Sequence, residues 1–378
     1  MLPALTPTRT SLADVVPSSI LALSGQANPL GLPEANHVVV VLVDGLGSEA
    51  LAARSGHART LVSRLTKKSV IESGFPTTTA AAIATLTTGV RAGQHGLVGY
   101  TALNGDRVVN QLSGWDTRMD PATWQRVPTQ FESLAAQGLT SVAIGPARYN
   151  NSGFSQAVLR GARYESASSI SDRMRRAADL LAGPNAPALS YVYVPELDVA
   201  AHAHGWQSPQ WTHALETLDA AVAELSRALS PSDGLLITAD HGILDVPAHS
   251  HVLFDTVPAL VDGVRLVAGD PRCLQLHFEP DLGEKQRTAL VDAWRASESE
   301  RSWIATRSEA IEAGWFGAVD ADVEPRIGDL LVAARKSIAY YDSRATNDHG
   351  RGMIGQHGSW SSSEVRVPLL RLGAFEQL

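Results

Sequence analysis

The sequence holds a single cysteine, Cys273, so it can form neither an intramolecular disulfide nor a cysteine-based zinc cluster. That fits a reducing compartment, and we expect a cytoplasmic protein. No run approaches the roughly 20 apolar residues needed to span a bilayer, which argues against a membrane role. The opening stretch, MLPALTPTRTSLADVVPSSILALSG, carries one basic residue, Arg9, and its apolar part is broken by Asp14 and Pro17, so it does not read as a signal peptide. Positive charge is also in short supply. With 31 Lys and Arg against 39 Asp and Glu, the net charge is −8, which offers no global attraction to nucleic acid or anionic lipid. An anionic substrate must therefore be drawn in by local positive charge.

What remains is the composition of a globular protein. The chain has 378 residues, 44% hydrophobic and 19% charged, enough apolar material for a sizeable core. It exceeds the usual domain of about 100 to 200 residues, so one large domain with an insert, or two domains, is expected. Four short runs are almost wholly apolar and rich in β-branched residues: HVVVVLV (37 to 43), SVAIG (141 to 145), LSYVYV (189 to 194) and GLLITA (234 to 239). Helical patterns lie between them, as in 208 to 229, where Trp211, Leu215, Leu218, Val222 and Leu225 recur at three- and four-residue steps. This predicts an α/β fold, a doubly wound and mainly parallel sheet with helices on both faces. Between Ala259 and Tyr341 the pattern changes to that of a small α+β module, and EVRVPLLRL beyond it reads as a return to the main sheet. We therefore expect a catalytic core formed by residues 1–258 and 342–378, interrupted by an inserted cap at 259–341.

Three acidic residues occupy one position relative to the strands. Asp44 follows HVVVVLV, Asp240 follows GLLITA, and Asp198 comes just after LSYVYVPEL. All should lie at the carboxyl edge of the sheet, where open α/β sheets bind ligands. Histidines accompany them: His202 stands four residues after Asp198, one helical turn on, and His241 is adjacent to Asp240. A third, His357, lies in IGQHGS with glycines on both sides, which permit a close backbone approach. Aspartate and histidine in this mixture suit zinc or a similar borderline divalent metal rather than calcium or magnesium alone.

GFPTTTAAAIATLTTG (74 to 89) offers the nucleophile. Pro76 disfavours helix before it and the Ala-rich stretch favours helix after it, so Thr77 to Thr79 should occupy a helix N-terminus. The free amides of such a turn favour an anion, and a threonine hydroxyl bound to a metal there loses its proton more readily. Trp115, Trp124, Trp206 and Trp211 are candidates for a wall on which a nucleobase stacks, although large rings also serve the core.

With these motifs in order, VLVDGLG, FPTTTAAAIATLTTG, ELDVAAHAHG, ITADHG and GQHGSWSSSEVRVPLL, the chain resembles the alkaline phosphatase superfamily, in its type I phosphodiesterase and nucleotide pyrophosphatase branch. The resemblance implies two divalent metals, zinc or manganese. One would be held by Asp44, Asp240 and His241 and bridged to Thr79 as nucleophile, the other by Asp198, His202 and His357. It implies hydrolysis of phosphate diesters or pyrophosphate-linked compounds through a phosphothreonine. The partner would be a small phosphorylated substrate such as a nucleotide, not nucleic acid; the sequence does not set the oligomeric state. A phosphomonoesterase or phosphonate hydrolase on the same core is the alternative, with an inactive binding module behind it. One departure stands out. Where the nucleotide branch follows its nucleophile with a Pro-Asn pair, this chain has Ala81 and Ala82, and so lacks a side-chain amide to hold a phosphoryl oxygen.

Overall fold

Each apolar run becomes a strand because all of its side chains are covered, one face by each helical layer. The computed structural model describes residues 1–4, 9–344 and 349–376. Its main sheet has seven strands in the order Val70–Glu72, Arg366–Gly373, Asp233–Thr238, His37–Val43, Leu189–Val194, Ser141–Gly145 and Arg163–Ser166. The last five named run parallel to one another, and Arg366–Gly373 pairs antiparallel to both of its neighbours. The fold is thus the expected α/β sheet, closed at one side by the antiparallel return of the C-terminal segment. Leu215, Leu218, Val222 and Leu225 of the Pro209–Ala228 helix are buried in the same core as Val38 to Val43.

Parallel strands place their carboxyl ends on one edge. His37–Val43, Leu189–Val194 and Asp233–Thr238 are adjacent, with Val43 opposite Val194 and Leu42 opposite Thr238. The segments carrying Asp44, Asp198 and Asp240 therefore leave the sheet side by side.

A second, antiparallel sheet has six strands, ordered Ser302–Thr306, Leu330–Ala334, Cys273–Phe278, Val264–Asp270, Thr101–Asn104 and Arg107–Asn110. Two of them come from the 101–110 hairpin, well before the 259–341 segment. The alternation of strand side chains splits its residues between two clusters. Leu274, Leu276, Ile304, Leu330 and Val332 meet Leu290, Val291 and Trp294 of the Glu284–Glu298 helix. Cys273, Ala305, Leu331 and Ala333 join Phe75, Ala81, Trp315, Phe316 and Trp360. Phe75, two positions before Thr77, stacks on Trp360 with centroids 4.7 Å apart and meets Trp315 edge-on at 4.8 Å. A buried bidentate pair, Arg272 with Glu364 at 2.7 and 2.8 Å, ties this sheet to the segment that follows His357.

Candidate active site

The strand ladder itself sets Asp44, whose N–H donates to the Val194 carbonyl at 2.9 Å and so extends the pairing by one residue. The chain then turns at Gly45, with φ of +73°; a side chain there would be strained, and its Cβ would lie 3.1 Å from Asp198. Gly45 also donates its N–H to Asp240 Oδ1 at 3.1 Å, and His241 N–H donates to the same oxygen at 2.9 Å. Asp198 and His202 are one turn apart in the helix Glu196–His204, with His202 Nε2 3.2 Å from Asp198 Oδ2.

All three histidines are oriented by backbone carbonyls acting on Nδ1. His202 meets Gly355 O at 2.7 Å, His357 meets Thr77 O at 2.8 Å and His241 meets Gly242 O at 3.2 Å. A proton held on Nδ1 leaves Nε2 as the lone-pair donor. Those Nε2 atoms face the carboxylates, His241 to Asp44 Oδ1 at 3.4 Å and to Asp240 Oδ2 at 3.5 Å, His357 to Asp198 Oδ1 at 3.9 Å. The His241 and His357 rings stack with centroids 3.7 Å apart. All six carboxylate and imidazole groups singled out in the sequence thus converge. Ligating atoms of Asp198, His202 and His357 form one tight group and those of Asp44, Asp198 and His241 another, so Asp198 stands between the halves.

The three threonines have separate contacts. Thr79 opens the helix Thr79–Thr88, and its hydroxyl is 3.2 Å from His241 Nε2. The Thr77 hydroxyl donates to Ser359 O at 2.7 Å and accepts from Gly358 N–H at 3.1 Å, which holds the loop of His357. Thr78 is the N-cap residue, and among the described residues its buried hydroxyl has no hydrogen-bond partner.

The donor set fits divalent cations on an observation independent of sequence. Among the described residues, Asp44 Oδ1, Asp198 Oδ1 and Asp240 Oδ2 are buried without a hydrogen-bond partner. Burial, then repulsion from Asp240 and Asp198, pushes the Asp44 carboxyl well above its usual range, and burial likewise raises Asp240. Burial also works against the charge on Asp198, but His202 chiefly, with His357 and His241, outweighs it and holds that carboxyl low. Carboxylates gathered in a dry place with open oxygens are stabilised by bound positive charge.

Tyr193 is a contact that motif reading did not single out. Its hydroxyl donates to Asp44 Oδ2, and burial keeps the phenol protonated. Tyr191 and Tyr193 lie on one face of the strand by period-two alternation, a signal hidden because the whole run is apolar. Both line a cavity of about 550 Å³ that also reaches Thr79, Asp44 and Asp198. Its walls come from 112–115 and 143–164, and no residue of 259–341 lines it. Of the four tryptophans considered, Trp115 alone lines the cavity; Trp124 and Trp211 are buried in hydrophobic clusters, and Trp206 packs edge-on against Trp211. Ala82 is buried in the main core, whereas Ile83 reaches the cavity wall. The absent amide therefore leaves no gap beside Thr79 that an asparagine at Ala82 would fill.

Carboxylates with open oxygens beside three imidazoles at the carboxyl edge of such a sheet define a site suited to divalent cations. The model of the type I phosphodiesterase/nucleotide pyrophosphatase family matches residues 38–360, and the chain belongs to that family of metal-dependent hydrolases. No curated protein matches it by sequence. Among solved structures it is similar to murine ectonucleotide pyrophosphatase/phosphodiesterase 5, with 16% identity, 89% of this chain and 88% of that one covered, and a TM-score of 0.68. An inactive variant of the murine protein in complex with AMP gives 15% identity, the same coverage and 0.69. Phosphonoacetate hydrolase from Sinorhizobium meliloti, in complex with phosphonoformate, gives 17% identity, 90% and 91% covered, and 0.68. Likeness at this identity shows the shared fold. Among the described residues, no helix is long and apolar enough to cross a membrane.

Proposed function

We propose that the chain hydrolyses small phosphate diesters or pyrophosphate-linked compounds, with Thr79 as nucleophile. The observation that carries this reading is the Thr79 hydroxyl, set at a helix N-terminus beside three partnerless carboxylate oxygens and open to the cavity. Two divalent cations, zinc by the donor chemistry or manganese, would be held by Asp44, Asp240, His241 and Thr79 and by Asp198, His202 and His357, and would supply charge neutralisation and Lewis acidity. Thr79 Oγ1 gives up its proton to solvent and attacks phosphorus in line, the bond to the leaving oxygen breaks, and a phosphothreonine forms that keeps the ester substituent not expelled; water then attacks phosphorus, the threonine oxygen departs and takes back a proton, and the phosphate monoester is released. Unpaired N–H groups in the first turn of Thr79–Thr88 favour negative charge on that oxygen in both steps.

AMP bound to the murine relative's inactive variant supports a nucleotide as substrate, and the aromatic wall of Trp115, Tyr149 and Phe154 suits a flat group. A phosphonate or monoester substrate is the second reading, supported by the likeness of the fold to phosphonoacetate hydrolase. We retain 259–341 as an inserted module whose sheet the 101–110 hairpin completes, and the lone buried cysteine fits a cytoplasmic setting. The test is a panel of nitrophenyl diester, monoester, phosphonate and sulfate substrates with added zinc or manganese, followed by acid quench and mass spectrometry. For the diester, a mass gain on Thr79 equal to the phosphoryl group with its retained ester substituent is the expected result; turnover with no such adduct on Thr79 sinks the mechanism.

A further inference from the structure

Apart from Asp44 and Asp198, the lining of the cavity beside Thr79 has, among the described residues, one charged side chain, Arg148. Arg148 is exposed, whereas Thr79 is buried, so the guanidinium marks the solvent end of that space. It is carried by the short helical turn Ala147–Tyr149, directly after the strand Ser141–Gly145 and Pro146. Its guanidinium carbon lies 4.8 Å from the Tyr149 ring centre, and that ring meets Tyr193 edge-on at 5.7 Å. A contiguous row thus leads from Arg148 through Tyr149 and Tyr193 to Asp44. Arg148 has its strongest polar interaction with the Tyr149 side chain, and the carboxylate whose charge it feels, Glu196, is engaged by the buried Arg173. Among the described residues Arg148 makes no ion pair, while Arg107, Arg160, Arg176 and Arg295 each have a carboxylate partner. In a chain of net charge −8, an unpaired cation on the wall of the reactive cavity is the local attraction an anionic ligand requires.

The apolar middle of the cavity bears on what reaches Arg148. Leu112, Trp115, Phe154 and Leu159 form walls without charge, suited to a flat apolar body, and the cation lies beyond it. We propose that Arg148 is a specificity-determining residue that receives a second anionic group, a carboxylate or a phosphate-like group, on the substituent of a phosphate ester placed at Thr79. This deepens the hydrolase reading above and rests on it for the placement of the ester. A plain nucleobase leaves the guanidinium in water; a substituent with its own negative charge gains charge-assisted hydrogen bonds there.

The experiment measures equilibrium binding to the full chain carrying Thr79→Ala, with zinc present throughout, so that no turnover intervenes. Three probes share a methyl phenyl phosphate core: the unsubstituted ester, its 4-carboxy derivative and its 4-phosphono derivative. With Arg148 in place, at least one of the two probes with a second anionic group should bind about tenfold more tightly than the unsubstituted ester at low ionic strength, with the preference weakening in high salt. The preference should disappear in Arg148→Gln and be kept in part by Arg148→Lys, and whichever substituted probe binds better identifies the anion. Equal binding of the unsubstituted and substituted probes, a preference that survives Arg148→Gln, or no binding by any probe overturns the proposal. Turnover of the same probes by the protein retaining Thr79 is scored separately. If the Arg148-dependent preference is present but nothing is hydrolysed, the hydrolase reading fails and the Arg148 site stands.

Discussion

The two halves of the centre are built from different parts of the fold. Asp44 and Asp240 sit at the ends of neighbouring strands, and with His241 they are almost wholly buried, Asp240 and His241 at 0% exposure. Asp198 and His202 share a short helix, His357 lies on a loop clamped by Thr77, and the His202 side chain keeps 22% of its surface exposed. One half is therefore dry with two carboxylates; the other is more open, with one carboxylate and two imidazoles. Strand ends fixed by the ladder tolerate concentrated charge because they cannot move apart, whereas a helix and a loop must be latched together. Ile354 N–H to His202 O at 2.8 Å and His202 Nδ1 to Gly355 O are that latch.

Thr79 belongs to the dry half and should show the largest effect. Thr79→Ala is expected to lower turnover by on the order of 10³-fold or more while leaving fold and metal content nearly intact, and Thr79→Ser should keep part of the activity. Steady-state kinetics with circular dichroism checks this, and Thr78→Ala proving lethal while Thr79→Ala is harmless would move the nucleophile by one residue. Next, Asp240→Asn should lower activity by about 100-fold without rescue by excess zinc, because the dry half loses charge that water cannot replace. His202→Gln should be restored substantially by the same zinc; equal rescue of both variants would erase the distinction between the halves.

Gradual chelation should abolish activity, which returns with zinc or manganese, and should strip the ions in two stages. Elemental analysis is expected to find one ion lost from the open half first, and simultaneous loss of both would break the comparison. The smallest effect is expected for Tyr193→Phe, about tenfold in the affinity of the more tightly held ion, since the phenol orients Asp44 without touching the open half. A shift in the weaker ion's affinity instead would show that the halves are coupled through Asp198.

Much of this was legible in the sequence because parallel strands place every strand-end residue on one edge, so HVVVVLV before Asp44 and GLLITA before Asp240 announced where these residues would lie. Edge strands were not. Val70–Glu72 has three residues and Arg163–Ser166 has one exposed, mixed pattern, neither long enough to show a period. The hairpin at 101–110 carried its own signal, Asn104-Gly105 between two short runs, but nothing local says that it completes a sheet begun more than 150 residues later. The cavity wall was the least legible part. Tyr149, Phe154 and Arg148 lie on connections without a motif, brought together only by the tertiary fold.

Phe75 has a bearing on how such a protein changes over generations. Held among Trp315, Phe316 and Trp360, it fastens the loop ahead of the nucleophile to the second sheet, and none of these four rings lines the cavity. Reactive geometry and substrate choice are thus inherited through separate stretches of chain. Residues 112–115 and 148–159 are free to diverge toward a new ligand while the aromatic box keeps Thr79 where the chemistry needs it, so drift in one stretch need not be matched by drift in the other.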